Sequence, residues 1–377
     1  MPFSSLGLSA PLLKALADQH FTIPTAIQQA AIPAILAKKD VLGIAKTGSG
    51  KTAGYVLPLL MNLQQTRLLK NRHADVLVLV PTRELAEQVK NVFNSFGKSL
   101  PQPVKTLAVY GGVSINPQMM ALQGINVLVA TPGRLLELVA ANSVQLSDVS
   151  ALVLDEADKM LNLGFKEEVD QIISLLPVQR QNLLFSATLS NDIQHIHQVL
   201  LQEPVVIKIE SEADSLELIR QVAYLVPEEK KGPFLRHLIR KQEMKQVLVF
   251  ASSIHQVEAI VNKLCKNNIV AKAIHSKKSQ GNRSDALAHF KAGKTRVLVA
   301  TDLMARGIDI DDLAFVINYE LPRSPKDYVH RIGRTGRAGN EGEAISLVSA
   351  AELHHFEVIQ KKMGKQVELI DTHDLVI

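Results

Sequence analysis

Ala45-Lys46-Thr47-Gly48-Ser49-Gly50-Lys51-Thr52 follows directly on the apolar run Asp40-Val41-Leu42-Gly43-Ile44. A buried strand that breaks into a glycine-rich turn ending in Gly-Lys-Thr is the sequence form of a phosphate cradle. Its glycines let backbone N–H groups point inward at phosphate oxygens. Lys51 then reaches the β- and γ-phosphates, and the Thr52 hydroxyl ligates Mg²⁺. The helix opening at Thr52-Ala53-Gly54-Tyr55-Val56-Leu57 adds its positive N-terminal end. Ala45 stands where the strict pattern has Gly. The competing reading is an ordinary strand-to-helix turn, and the rest of the chain decides between them.

Working outward, apolar β-rich runs alternate with helical patterns along the whole chain. Val76–Val80, Thr106–Tyr110, Val127–Ala130, Ala151–Leu154 and Leu183–Phe185 lie in the first half. Val222–Val226, Val247–Phe250, Val297–Ala300 and Ala314–Ile317 lie in the second. Continuous rather than alternating apolar runs mean strands covered on both faces, hence parallel sheets with crossover helices. The expected fold class is therefore α/β, and in such sheets ligands bind at the carboxyl ends of strands. Val127-Leu128-Val129-Ala130-Thr131 recurs as Val297-Leu298-Val299-Ala300-Thr301, a hint of two similarly built halves. At 377 residues two domains are expected. The acidic, aperiodic Glu210-Ser211-Glu212-Ala213-Asp214-Ser215 reads as their connection. The expected boundaries are 1–208, a linker at 209–216, and 217–377.

Net charge is +5, and its distribution says more than its size. Residues 251–300 carry nine Lys/Arg against two acids, which fits a polyanion partner as well as a solvated lysine face. With no Trp and 4% aromatics, base stacking on an aromatic platform is not expected. No apolar run reaches membrane-spanning length and the start lacks a basic region followed by an apolar core, so neither membrane association nor export is expected. Cys265, the single cysteine, can form no internal disulfide, which fits a cytoplasmic protein; its helical context reads as a small buried apolar role. The histidines show no metal-ligand spacing with it, and no nucleophile elbow is present.

After the strand Leu152-Val153-Leu154 come Asp155-Glu156-Ala157-Asp158. Three carboxylates in four residues repel one another unless a cation or basic partners lie there. Beside a phosphate cradle, Asp155 can hold Mg²⁺ through water while Glu156 orients and deprotonates an attacking water. An acid-rich helix start favoured by the helix dipole is the plainer alternative.

Asp-Glu-Ala-Asp at this distance from the Gly-Lys-Thr turn resembles the DEAD-box family of ATP-dependent RNA helicases. The likeness covers essentially the whole chain. Pro81-Thr82-Arg83-Glu84-Leu85-Ala86, Gly111-Gly112, Thr131-Pro132-Gly133-Arg134 and Ser186-Ala187-Thr188 fall in family order. So do Ser279-Gln280-Gly281-Asn282-Arg283, Thr301-Asp302 through Arg306-Gly307-Ile308-Asp309, and His330-Arg331-Ile332-Gly333-Arg334-Thr335-Gly336-Arg337. The run as a whole is most similar to the bacterial RhlE-type subgroup. The resemblance implies two tandem RecA-like domains, ATP and Mg²⁺ as ligands, and RNA, single-stranded or as short duplex, as partner. Proteins of ribosome assembly or RNA decay are possible further partners.

Residue by residue, Phe21-Thr22-Ile23-Pro24-Thr25-Ala26-Ile27-Gln28 resembles the family's Q motif, placed here within residues 1–29. An amide both donates and accepts, which matches N7 and N6 of adenine. Gln28 is thus implied as the ATP-selecting group, with Phe3 and Phe21 as aromatics at the base. Read without the family, Phe3 is a core aromatic and Gln28 a surface amide. His20 and Ala26 depart from the motif, and Lys46 replaces a common Gln in the phosphate loop of Thr47, Gly48, Ser49, Gly50, Lys51 and Thr52. Arg334 and Arg337, three apart, are implied as arginine fingers, and Asp309 as the ribose ligand. Ser186, Thr188, Asp158 and His330 are implied to couple hydrolysis to strand separation. Thr82, Arg83, Gly111, Gly112, Thr131, Pro132, Gly133, Arg134, Arg283 and Thr301 suit phosphate and sugar contacts, which carry little base information. The expected activity is RNA-stimulated ATP hydrolysis driving local, non-sequence-specific unwinding or ribonucleoprotein remodelling. The alternatives are a DNA-directed helicase of the same superfamily and an RNA clamp or scaffold with little unwinding.

Overall fold

A computed structural model describes residues 1–45, 48–64, 71–189, 193, 196, 200–209, 219–302, 313–336 and 342–372. The chain divides into two compact units, Met1–Ser211 and Glu212–Ile377. The expected linker lies, except for residue 209, outside the described residues.

The first unit holds β1 (Val41–Ile44), β2 (Val76–Leu79), β3 (Thr106–Val109), β4 (Val127–Ala130), β5 (Ala151–Leu154), β6 (Gln181–Ser186) and β7 (Val205–Lys208). The second holds β8 (Ile219–Leu225), β9 (Val247–Phe250), β10 (Ala271–Ile274), β11 (Val297–Ala300), β12 (Phe315–Asn318), β13 (Gly342–Val348) and β14 (Glu368–Asp371). Among the described residues all ladders are parallel. The strand orders are β3-β4-β2-β5-β6-β1-β7 and β10-β11-β9-β12-β13-β8-β14. Each strand of the second sheet lies seven labels on from its counterpart in the first, so the two units share one topology. The recurring Val-Leu-Val-Ala-Thr run sits on counterpart strands, β4 and β11. Both units have the architecture of tandem RecA-like domains.

The sheets are buried on both faces, as the continuous apolar runs require. Along β2, Val76 and Val78 belong to one core, while Leu77 and Leu79 belong to the core on the opposite face. Along β9, Val247 and Val249 divide from Leu248 and Phe250 in the same way. The expected runs all became strands. The edge strands β7 and β14 were not legible, because an edge strand with exposed positions needs no continuous apolar run, and in β10 Lys272 interrupts the apolar run Ala271–Ile274. β13 was hidden by the polar start Gly342-Glu343. Cys265 corrects the expectation of burial: it is exposed. Its helix, Ile254–Lys266, buries Val257, Ile260 and Leu264, and Cys265 lies one residue off that stripe.

Candidate ATP and RNA site

In the first unit the strand order sorts the motifs. Strands β5, β6 and β1 are neighbours, and from their carboxyl ends run Asp155–Asp158, Ser186–Thr188 and the glycine turn. On the other side β3, β4 and β2 are neighbours, and lead into Gly111-Gly112, Thr131–Arg134 and Thr82-Arg83. One edge of one sheet thus presents the two sets of residues side by side.

Within the first set, Gly48 and Gly50 adopt left-handed backbone, φ +85° and +89°, and Gly50 caps the helix Lys51–Leu63. A Cβ at Gly50 would meet Gln28 Nε2 at 2.5 Å, so the turn has room for glycine alone. Gln28 Oε1 accepts the Thr25 N–H at 3.0 Å and its Nε2 donates to the Gly50 carbonyl at 3.1 Å. The amide therefore ties the Q-motif helix to the phosphate turn and is buried rather than on the surface. One N–H and one lone pair of it remain for a base. Phe3 is 5% exposed and packed in the core, the plainer of its two readings, whereas Phe21 is 39% exposed and meets Phe96 edge-on at 5.7 Å.

Lys51, 6% exposed, donates to the Ala45 carbonyl at 2.6 Å. Burial pushes its ammonium below the ordinary lysine range, while the carboxylates of Asp155, Glu156 and Asp158 pull it back up. Asp155, 2% exposed, is pushed up by burial and pulled down chiefly by Lys51. Its Oδ2 accepts the Tyr55 hydroxyl at 2.8 Å and its Oδ1 the Glu156 N–H at 2.9 Å. Glu156 adopts left-handed backbone (φ +52°), an uncommon conformation for a residue with a side chain, and its Oε1 lies 2.7 Å from the Lys159 ammonium. Asp158 Oδ2 accepts the Thr188 hydroxyl at 3.0 Å, and the Ser186 hydroxyl donates to the Thr188 carbonyl at 2.8 Å. The carboxylate cluster and the Ser-Ala-Thr turn are thus joined by a direct hydrogen bond.

This arrangement fits a Mg²⁺–triphosphate. Ser49 Oγ and Asp158 Oδ1 are buried without hydrogen-bond partners, which leaves them for a ligand or its water. Among the described residues no group of three or more His, Cys, Asp or Glu could hold a metal. Mg²⁺ keeps much of its water and needs only one or two protein oxygens beside phosphates. Among the described residues the second unit offers no such cradle. At the counterpart position, after β8, stands Pro227-Glu228-Glu229-Lys230 without glycine. There Lys231, fully buried, is held by Glu228 at 2.9 Å and Glu352 at 2.7 Å.

In the second set, a Cβ at Gly112 (φ +72°) would fall inside the Arg83 guanidinium. Arg134 donates to the Val113 carbonyl at 2.9 Å, and its Nη1 is buried without a partner. Gly111 and Gly133 face open space, so backbone there is approachable. Thr131 is buried, Pro132 opens the helix Pro132–Ala140, and Thr82 caps the helix Arg83–Gly97 through Leu85 N–H. In the second unit Thr301 is half-exposed, and Arg283 is buried with its guanidinium on Gln280. Arg334 is buried and His330 half-buried, at the end of the helix Pro325–Ile332. Thr47, Asp309 and Arg337 lie outside the described residues.

Sequence reading missed Tyr55, Lys159 and Gln118. Lys159 had a signal, its place three residues after Glu156. Gln118 clamps both the N–H and the carbonyl of Tyr110, at 3.0 and 3.2 Å, and so fixes the loop at Gly111; no spacing announces that.

Comparison with known proteins agrees with this geometry. The DEAD/DEAH box helicase model matches residues 25–196 and the helicase conserved C-terminal domain matches 230–339. The chain is 38% identical to ATP-dependent RNA helicase CshA of Listeria monocytogenes, over 97% of this chain and 69% of that one. It is likewise 38% identical to ATP-dependent RNA helicase DbpA of Bacillus subtilis, over 98% and 76%. Among solved structures, S. cerevisiae Dbp5 bound to RNA and ADP BeF3 superposes with a TM-score of 0.84 at 28% identity, covering 99% of this chain and 96% of that one. A likeness that runs through both units and carries the motifs in order means that the chain belongs to the DEAD-box RNA helicase family.

Proposed function

We propose that this chain is an ATP-dependent RNA helicase, which couples RNA-stimulated ATP hydrolysis to local unwinding of short duplexes or remodelling of ribonucleoproteins. The observation that carries the reading is the single connected set Lys51, Asp155, Glu156, Asp158 and Thr188 at the carboxyl end of β1, β5 and β6. Lys51 binds the terminal phosphates, and Gln28 and Phe21 meet the adenine, with Phe3 packing beneath. Glu156 orients a water and takes its proton as oxygen attacks the γ-phosphorus and ADP departs. Mg²⁺, held by Thr52 and through water by Asp155, would neutralise charge on the phosphate oxygens. Arg334 and Arg337 supply transition-state charge, and Asp309 bonds the ribose. The Asp158–Thr188–Ser186 chain, with His330, passes the state of the nucleotide to the RNA-binding loops.

RNA is held by backbone contacts at Thr82, Arg83, Gly111, Gly112, Thr131, Pro132, Gly133 and Arg134, joined by Arg283 and Thr301, so recognition is not sequence-specific. The finer placement, in the bacterial RhlE-type subgroup and in the cytoplasm, rests on the run of motifs and on the lone thiol Cys265; no helix is long and apolar enough to cross a membrane among the described residues. The test is ATP turnover with RNA and with DNA of equal length. RNA stimulates strongly and DNA does not; equal stimulation favours the DNA-directed reading, and no turnover with either favours a clamp. Gly112→Ala pushes Arg83 off its seat and weakens binding of a single-stranded RNA about fivefold, the effect of about 1 kcal/mol, with nucleotide affinity unchanged. Fluorescence anisotropy reads the first and a fluorescent nucleotide the second; unaltered RNA affinity takes Arg83 out of the interface.

A further inference from the structure

The Asp155 carboxylate is held at both oxygens, and one of the two hydrogen bonds comes from a distant part of the chain. Glu156 N–H, from the next residue, binds Oδ1 at 2.9 Å. Tyr55 Oη, a hundred residues away, donates to Oδ2 at 2.8 Å. Tyr55 lies one turn into the helix that Lys51 opens, four residues on, and so on the same side of that helix. It is fully buried, and its ring packs on Phe185 of β6 with centroids 5.3 Å apart. β6 in turn lies between β1 and β5, the strands that carry the phosphate turn and Asp155. Ring, helix and strand fix the hydroxyl beside Asp155, where the Thr52 side chain also hydrogen-bonds to it.

We propose that Tyr55 is a positioning residue for Asp155, through which the phosphate-binding helix itself sets the angle of the carboxylate that receives the water shell of Mg²⁺. Held by the Glu156 N–H alone, a carboxylate keeps broad two-fold freedom about its terminal torsion. A second hydrogen bond, to the other oxygen, removes it. Groups that orient a metal's ligand in this way change metal affinity about 10–100-fold when removed. Since Lys51, Thr52 and Tyr55 share one helical turn, a movement of that turn on phosphate binding reaches Asp155 without an intermediary. The proposal rests on the ATP–Mg²⁺ reading of this unit. A hydroxyl that merely satisfies a buried oxygen would make the same bond, so the test must separate stability from metal response.

The experiment uses the full chain and Tyr55→Phe, which removes the hydroxyl and keeps the ring on Phe185. Tyr55→Met is a second variant without the hydroxyl. Binding of a fluorescent ADP analogue is titrated in EDTA and in Mg²⁺. The wild type binds more tightly in Mg²⁺. In Tyr55→Phe affinity in EDTA is kept, while the tightening by Mg²⁺ shrinks about tenfold, and Mg²⁺ for half-maximal turnover rises by a similar factor. Tyr55→Met shows the same loss. In an Asp155→Asn background, Tyr55→Phe adds nothing further to it. A lowered melting temperature with wild-type Mg²⁺ response in both variants overturns the proposal and leaves the ATP site standing. A wild type whose nucleotide affinity ignores Mg²⁺ overturns the site reading, and the role of Tyr55 with it.

Discussion

Glu156→Gln is expected to lower RNA-stimulated ATP turnover by about 10²-fold or more, the range for a lost general base, while ATP and RNA still bind. The substitution is nearly isosteric. Gln can keep the contact with Lys159, which lies 2.7 Å from Glu156 Oε1, and the backbone N–H that fixes Asp155 Oδ1 is untouched. Lys51, the glycine turn and the arginines of the second unit are untouched too, so ground-state affinity has no reason to fall. Only the capacity to take a proton from the attacking water is gone. Single-turnover phosphate release in the presence of RNA measures the loss, and fluorescent-nucleotide and RNA titrations check that binding persists. Turnover within about threefold of wild type would remove Glu156 from the proton transfer, since a general base supplies far more than that.

The second large effect concerns stability. Arg331, 2% exposed, lies between Arg334 and the helix start in a run that reads as one basic cluster. Its Nε and Nη2 reach the two oxygens of Asp302 at 2.5 and 2.7 Å. Nη1 donates to Asn318 Oδ1 at 3.1 Å and to the Glu320 carbonyl at 2.6 Å, and the guanidinium carbon lies 5.0 Å from the Phe250 ring centre. Arg331→Met keeps bulk and removes every donor. A buried carboxylate deprived of its partner costs about 3–5 kcal/mol; because Asp302 is partly exposed, about 3 kcal/mol is expected. For a body of this size that is a fall of roughly 6–12 °C in the melting temperature of the second unit. Calorimetry of the full chain reads it, and a fall of less than about 2 °C would mean that the network holds little of the unit's stability.

The fold was largely legible because its strands are buried on both faces. Val76–Leu79, Val127–Ala130, Val247–Phe250 and Val297–Ala300 have no polar alternation to confuse them with helices or half-exposed strands. The edges β7 and β14 were not legible, since water on one side relaxes the demand for apolar residues. Lys51, Asp155 and Glu156 stand out as candidates in the sequence because glycines before a lysine, and three acids at a buried strand's end, are rarely tolerated for packing reasons alone.

By itself the sequence determined the α/β class, the two halves and the residue types of the phosphate and carboxylate groups, all of which depend on local composition and short spacing. Tertiary structure alone decided which residues support them. Tyr55 against Asp155, Gln118 around Tyr110 and Arg331 on Asp302 each join elements brought together by strand order. It also decided that Lys51 faces a glycine turn while its counterpart Lys231 is locked by Glu228 and Glu352. Two lysines with the same place in the topology differ because a buried cation takes whichever acceptor is near: Glu228 and Glu352 at ion-pair distance in one unit, and in the other the Ala45 carbonyl, with Asp155, Glu156 and Asp158 around it.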